Sequence, residues 1–409
     1  MKLSDIRGIA ENQHEALMAR NSGYQRELLA ELPDIQSHAL IISGIRRCGK
    51  STLLHQLVKK TGRPFFYFNF DDLRLAEFVN ADYGLLNTVL AESGAKLLFF
   101  DEVQSAENWE LYVRQKLDEG FQALLTGSNA SLLSRELGSR LTGRHISKEL
   151  WPFSYREYCG FTGATAGPES LDTYLERGGF PEYLKTDNQD ILRQLQLDIL
   201  YRDIAVRYGL RDASSLTRLF VYLLSNPAQL VSPSRLISVA GVKSPTTVLE
   251  YFSYFEAAYL ISLIPCFSWS AKASESAPKK LYIADPGLIQ TGSAAFSGNL
   301  GALLENFVFN SLRAETADMY YFSGKSGGEC DFVVNLRQKK PVCIQVCREL
   351  TSDNEEREIA GLLEALDFFG SGEGLVLTRD TEDSIAVKGR MIRVLPAWKY
   401  AGIPRGGQG

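Results

Sequence analysis

Residues 44–51 read Gly-Ile-Arg-Arg-Cys-Gly-Lys-Ser, two glycines set five apart and followed by a lysine and a hydroxyl. That spacing suits the capture of an anionic polyphosphate. Backbone N–H groups close on phosphate oxygens only where no side chain intervenes, which accounts for Gly44 and Gly49. Ile45, Arg46, Arg47 and Cys48 complete the loop between them. Lys50 is expected on the outer phosphates of a nucleotide and the Ser51 hydroxyl on Mg²⁺. Thr52 continues into a helix whose dipole adds positive charge at the same point.

A second set of residues complements the loop. Leu97-Leu98-Phe99-Phe100 is followed by Asp101 and Glu102, four apolar residues and then two acids, the Walker B pattern. Asp101 is expected to hold Mg²⁺ through water, and Glu102 to polarise the water that attacks the γ-phosphate. Ser128 and Asn129 are equal candidates to hold that water. Arg135, Arg140 and Arg144 follow, and an arginine acting on the γ-phosphate, in cis or from a neighbour, suits such a place. Arg140 and Arg144 are favoured over Arg135.

These groups need a frame. Apolar runs at 38–43, 65–70, 97–100, 123–125 and 145–150 alternate with helical segments, which predicts a parallel sheet with helices on both faces. Ligands bind beyond the carboxyl ends of such strands, and Asp71, Asp101, Glu102, Ser128 and Asn129 all fall there. Residues 1–37 read as a polar helical lead-in.

The bulk composition sets limits. With 409 residues the chain is too long for one ordinary core, so two or three domains are expected. A net charge of −5 gives no global basic field for nucleic acid. The six cysteines are scattered without a Cys-x-x-Cys pair, and the four histidines are dispersed, so neither a zinc site nor a disulfide framework is expected. No stretch is long and apolar enough for a membrane span, and the start lacks the apolar core of a signal peptide, so the expected location is the cytoplasm.

Taken together, residues 44–51, 97–102, Thr126-Gly127-Ser128-Asn129 and Leu141-Thr142-Gly143-Arg144 resemble the AAA+ superfamily of P-loop ATPases. Residues 151–158 (Trp-Pro-Phe-Ser-Tyr-Arg-Glu-Tyr) and 178–183 (Gly-Gly-Phe-Pro-Glu-Tyr) narrow the resemblance to a prokaryotic ATP-binding group with a C-terminal domain of unknown function. The resemblance implies an α/β core with strand order 5-1-4-3-2, and ATP with Mg²⁺ as cofactors. It leaves open a homo-oligomer and a DNA or protein partner through the C-terminal half. The expected division is a lead-in over 1–37, an ATP-binding core over 38–158, a helical linker or lid over 159–213, a winged-helix-like domain over 214–280 and an α/β domain over 281–409.

Residues 187–208 read as one long amphipathic helix. Between 214 and 265, a helix, a Gly turn and a capped helix with proline at its first position form a helix-turn-helix signature. As a DNA reader its last helix would use Lys243, Ser244, Thr246 and Thr247, but that face carries Glu250 and Glu256. The segment from 281 on resembles the restriction-endonuclease-like fold. On that resemblance Glu305, Asp331 and Gln345 match the metal-binding positions, and Cys347 stands where a lysine belongs. A largely neutral thiol supplies no fixed positive charge, so an inactive nuclease-like scaffold is favoured over an active nuclease. The leading expectation for the whole chain is a Mg²⁺-dependent ATPase that couples nucleotide state to its C-terminal domains. The alternatives are an ATP-gated nuclease or DNA-binding protein, and a scaffold that binds ATP without turnover.

Overall fold

The computed structural model describes residues 1–34, 37–130, 141, 143–294, 299–338 and 340–402. The chain divides into two compact units. The first comprises Met1–Trp151 with Ala257–Tyr259, and the second Pro152–Glu256 with Leu260–Gly409.

The first unit is built on five strands: β1 (Ala39–Ser43), β2 (Phe65–Asn69), β3 (Leu97–Asp101), β4 (Gln122–Gly127) and β5 (His145–Glu149). They lie in the order β2-β3-β4-β1-β5 and every pairing is parallel. This is the 5-1-4-3-2 order expected from the sequence, read from the other edge. Every residue of β1 and β3 is buried, as a sheet covered on both faces requires. β1 lies inside the sheet, between β4 and β5, so the loops after β1, β3 and β4 open side by side at one end of it. The helix Leu3–Ala19 is no mere lead-in. Its Ile6, Ile9 and Ala10 are buried in the same core as Phe66, Phe68, Leu86 and Leu90. Their spacing of three and four puts one apolar stripe against the sheet, so residues 1–37 belong to this unit.

In the second unit, β6 (Leu230–Val231), β7 (Ile261–Ile264) and β8 (Lys279–Ile283) form an antiparallel sheet in the order β6-β8-β7. The helices Ser214–Leu224, Pro233–Ala240 and Pro245–Ala257 precede or interrupt it in the chain. A six-stranded mixed sheet follows, made of β9 (Met319–Ser323), β10 (Glu329–Val334), β11 (Val342–Val346), β12 (Glu373–Thr378), β13 (Asp383–Val387) and β14 (Arg390–Pro396). Its order is β13-β14-β12-β11-β10-β9. The helix Glu355–Phe369 packs Ile359, Leu362, Leu363 and Leu366 into a core with Val333, Cys343, Val376 and Val394.

Two expectations are corrected here. The region 187–208 is an α-helix over Asp190–Asp198 that widens into a π-helix over Ile199–Val206. Leu210 N–H donates to the Ala205 carbonyl, the five-residue step that marks the wider turn. The boundary drawn between residues 280 and 281 cuts through β8, whose Lys280 pairs with both Leu230 and Ile264. Among the described residues no helix is long and apolar enough to cross a membrane.

Candidate nucleotide site and a buried carboxylate cluster

Ser43 ends β1 and the chain turns into the loop at once. Gly44 has φ 155°, and a Cβ there would lie 2.0 Å from the Leu150 carbonyl oxygen, so no side chain fits. Gly49 (φ 105°) starts the helix Lys50–Thr61. Inside the loop, Ile45 and Cys48 are fully buried, and the Cys48 thiol donates to the Leu150 carbonyl at 3.2 Å. Burial pushes that thiol up from its ordinary pKa, so it stays protonated. Arg46 is half-buried, Arg47 is exposed in a left-handed conformation (φ 63°), and Thr52 is half-buried in the first helical turn. The Lys50 ammonium is buried and donates to the carbonyls of Gly44 at 2.9 Å and Ile45 at 3.1 Å. It therefore curls over the loop, where a phosphate oxygen can replace either carbonyl.

The acids of β3 meet the loop. The Ser51 hydroxyl donates to Asp101 Oδ2 at 2.8 Å, and the Tyr67 hydroxyl donates to the same oxygen at 3.1 Å. Thr126 donates to Asp101 Oδ1. Burial, and then the neighbouring Glu102 charge, push the Asp101 carboxyl above the usual carboxylate range. Glu102 sits in the left-handed region (φ 49°), with its N–H held by the Thr126 hydroxyl at 3.2 Å. Its carboxylate accepts from the Gln104 amide and from Ser128 N–H at 3.1 Å, and lies 3.9 Å from the Lys50 ammonium. Burial raises this carboxyl, but Lys50, Gln104 and Arg46 outweigh it and hold Glu102 below its ordinary value. Glu102 is thus an ionised carboxylate beside a protonation-prone Asp101, a difference set by which acid faces the lysine.

Ser128 and Asn129 are both buried at the end of β4, next to this pair in the fold. Arg135 and Arg140 lie outside the described residues. Arg144 belongs to the other end of the sheet. Its carbonyl accepts from Ala39 N–H at the start of β1, and its guanidinium pairs with Asp118 at 2.6 Å. A side chain there cannot reach a phosphate held by its own loop, which corrects the expectation of Arg144 as a finger in cis. Mg²⁺ fits the donor set, because a carboxylate and a serine hydroxyl are hard oxygen ligands already in contact.

Three groups here escaped the sequence reading. Gln104, two residues after Glu102, carries a buried Oε1 with no partner among the described residues. Tyr67 reaches Asp101 from the middle of β2. Arg26, 4% exposed, donates 2.7 Å bonds to the Cys48 and Trp151 carbonyls and so clamps the loop from behind. Nearby, Tyr259 (φ 61°) donates to the Ser43 hydroxyl at 2.7 Å and packs edge-on against Trp151 at 5.2 Å.

The second unit brings Glu305 and Asp331 against Lys280, a residue the sequence reading did not include, and Gln345 meets Asp331 through its backbone N–H. Lys280 Nζ lies 2.9 Å from Glu305, 2.6 Å from Glu329 and 2.7 Å from Asp331. Burial pulls this ammonium down, but Asp331, Glu305 and Glu329 together hold its pKa well above the ordinary lysine value. Burial, then Asp331, raise Glu305 to about 8. Gln345 accepts from Asp331 N–H at 3.3 Å and donates to Glu358 at 2.8 Å. Cys347 is 8% exposed in the apolar core with Phe322, Cys330 and Ile359, where burial pushes its thiol up to about 12.

Known protein families match this chain over three stretches. Residues 36–159 match an AAA domain family, 168–297 a domain of unknown function (DUF8612) and 300–400 a second domain of unknown function (DUF4143). The chain is 28% identical over 341 residues to an uncharacterized protein of Haemophilus influenzae, covering 78% of this chain and 84% of that one. Among solved structures, a mutant of Thermotoga maritima RuvB aligns with a TM-score of 0.31 at 17% identity, over 63% of this chain and 89% of that one. Cdc6p of Pyrobaculum aerophilum aligns with a TM-score of 0.26 at 14% identity, over 69% and 88%. The uncharacterized protein MJ1544 of Methanocaldococcus jannaschii is 32% identical over 402 residues, covering 91% of this chain and 90% of that one. This chain therefore belongs to the MJ1544 family, with an AAA domain followed by two domains of unknown function.

Proposed function

We propose that this chain is a Mg²⁺-dependent ATPase of the AAA+ type, in which ATP binding and hydrolysis drive rearrangement of the second unit. The observation that carries the reading is the 2.8 Å contact of Ser51 with Asp101, with Lys50 3.9 Å from Glu102 across the same loop. Lys50 would exchange the Gly44 and Ile45 carbonyls for phosphate oxygens. Ser51 and Asp101 would hold Mg²⁺, which supplies charge neutralisation when bound. Departure of Lys50 toward phosphate leaves Glu102 less stabilised as an anion and so a stronger base for water. Gln104 Oε1, which has no partner among the described residues, offers that water an acceptor beside Ser128 and Asn129.

Finer features of the second unit belong to the same proposal. The β6-β8-β7 order with three helices supports a winged-helix-like module, in which Thr246 is exposed but so is Glu250. Asp331 and Gln345 in contact on adjacent strands, with Glu305 on a facing helix, support a restriction-endonuclease-like frame. A homo-oligomer, a cytoplasmic location and a DNA or protein partner remain part of the reading.

The test is ATP turnover and ATP·Mg²⁺-induced thermal shift for wild type and Lys50→Ala, with double-stranded DNA, single-stranded DNA, RNA or no nucleic acid. Loss of the shift in Lys50→Ala supports the site, and an unchanged shift overturns it. Stimulation by one nucleic acid would promote the DNA-linked alternative. Tight ATP binding without turnover in wild type would promote the scaffold.

A further inference from the structure

A carboxylate cluster in a nuclease-like frame invites a divalent ion, but the residues here do not fit one. The Lys280 ammonium has three N–H donors, and three carboxylates lie within hydrogen-bond distance of it. It therefore occupies the point on which the acids converge. Two of the carboxylates take a further donor. Tyr282 donates at 2.6 Å to Glu305 Oε1, the same oxygen that faces Lys280, and Val346 N–H donates at 2.8 Å to Asp331 Oδ2, the oxygen that Lys280 leaves. Gln345 is turned to the Asp331 N–H and to Glu358, so its amide is spent elsewhere. Mg²⁺ needs about six oxygens near 2.0–2.1 Å in octahedral array and sheds its waters reluctantly. No such array forms around oxygens that already hold a buried ammonium. Among the described residues no group of three or more His, Cys, Asp and Glu side chains is placed to hold a metal ion.

We propose that Lys280 is the resident cation of this cluster, holding the place a divalent ion would otherwise take and stapling β8 to the helix Leu300–Arg313 and to β10. The staple is covalent to the chain, so it neither dissociates nor depends on the metal supply. It offers no exchangeable water to activate, and the second unit carries no metal-dependent phosphodiester hydrolysis at this point. The inference does not rest on the ATPase reading, since every residue in it lies in the second unit.

The experiment uses the full-length protein without nucleotide, in an Asp101→Asn background so that the first unit cannot supply a metal site. Mn²⁺ binding is followed by electron paramagnetic resonance and by thermal shift, with Mg²⁺ in parallel. The parent is expected to show no Asp331-dependent Mn²⁺ binding and no shift. Lys280→Met uncovers three carboxylates, so it is expected to melt lower and to be restored by about 5 °C or more on adding Mn²⁺. Adding Asp331→Asn should remove that rescue. Mn²⁺ bound by the parent and lost with Asp331→Asn overturns the proposal, as does a folded Lys280→Met that binds neither ion. Should Lys280→Met not fold, the parent titration decides alone. Lys280→Arg, which keeps a cation, is then expected to fold and to stay metal-free.

Discussion

Arg26 offers the sharpest test of how the phosphate loop is held. Its guanidinium is 4% exposed and donates 2.7 Å bonds to the carbonyls of Cys48, inside the loop, and Trp151, at the end of the unit. Arg26→Met keeps much of the stem and removes both donors. A bond from a charged donor contributes about 1.5–3 kcal/mol, so the gross loss is about 3–6 kcal/mol. The guanidinium's own burial costs several kcal/mol and offsets part of this, leaving the unit less stable by about 2–3 kcal/mol. The bond to Cys48 is the part that orders the loop. Its loss of about 1.5–3 kcal/mol must be made good when ATP binds, which weakens binding about 10- to 100-fold. Arg26→Lys presents a single point donor that satisfies one carbonyl at most, so an intermediate loss is expected. The assay is titration with a fluorescent ATP analogue beside thermal unfolding. A folded Arg26→Met with wild-type affinity would refute the clamp.

Three more outcomes are expected. Glu102→Gln should keep ATP bound but slow turnover about 10²-fold or more, since the amide cannot take a proton; wild-type turnover would remove Glu102 as base. Burial holds the Asp285 carboxyl up at about 7, against the pull of the Gly179 and Gly287 N–H groups. The folded state therefore binds the proton more tightly than the unfolded one, and this contribution to stability is lost as pH rises from about 4 to 7, by up to about 1.4 kcal/mol per unit. Asp285→Asn should flatten the curve of unfolding free energy against pH over that window, and parallel curves for the two proteins would exclude the effect. Gly179→Ala places a Cβ 2.2 Å from the Phe153 carbonyl oxygen and 2.8 Å from its nitrogen, so a loss above about 3 kcal/mol is expected. Gly163→Ala meets nothing within 4 Å and bears only the left-handed backbone penalty of about 1–2 kcal/mol. Equal melting of the two would contradict the packing assigned to the Gly-Gly-Phe-Pro-Glu stretch.

The contrast between what was legible and what was not follows from range. The loop at 44–51, the two acids at the end of β3 and the succession of strands could be read because each apolar run is short, continuous and ends directly in the residues it presents; the strand order came with the family resemblance. Gln104 was within reach, two places after Glu102. Arg26 and Lys280 were not. Each meets partners 22 to 125 residues away (Arg26) or about 25 to 51 away (Lys280), so only tertiary closure shows the pairing. A boundary drawn at 280 even separated Lys280 from its carboxylates, because β8 ends one pattern of strands just where the next begins. Arg144 as a finger in cis misled for a related reason: sequence order placed it after the Ser128–Asn129 turn, but the chain had by then returned to the start of β5.

Tyr259 bears on how this protein can be taken apart. The stretch 257–259 is counted with the first unit while the residues on both sides of it belong to the second, so the ATP-site half is not encoded by one continuous piece of chain. A fragment ending at Trp151 would lack the phenol that caps Ser43, one residue before the loop, and the ring that covers Trp151. Loss of activity in such a fragment would report a missing side chain rather than a missing partner domain. Domain shuffling by simple fusion at residue 151 meets the same obstacle, which ties the inheritance of the nucleotide site to that of the C-terminal half.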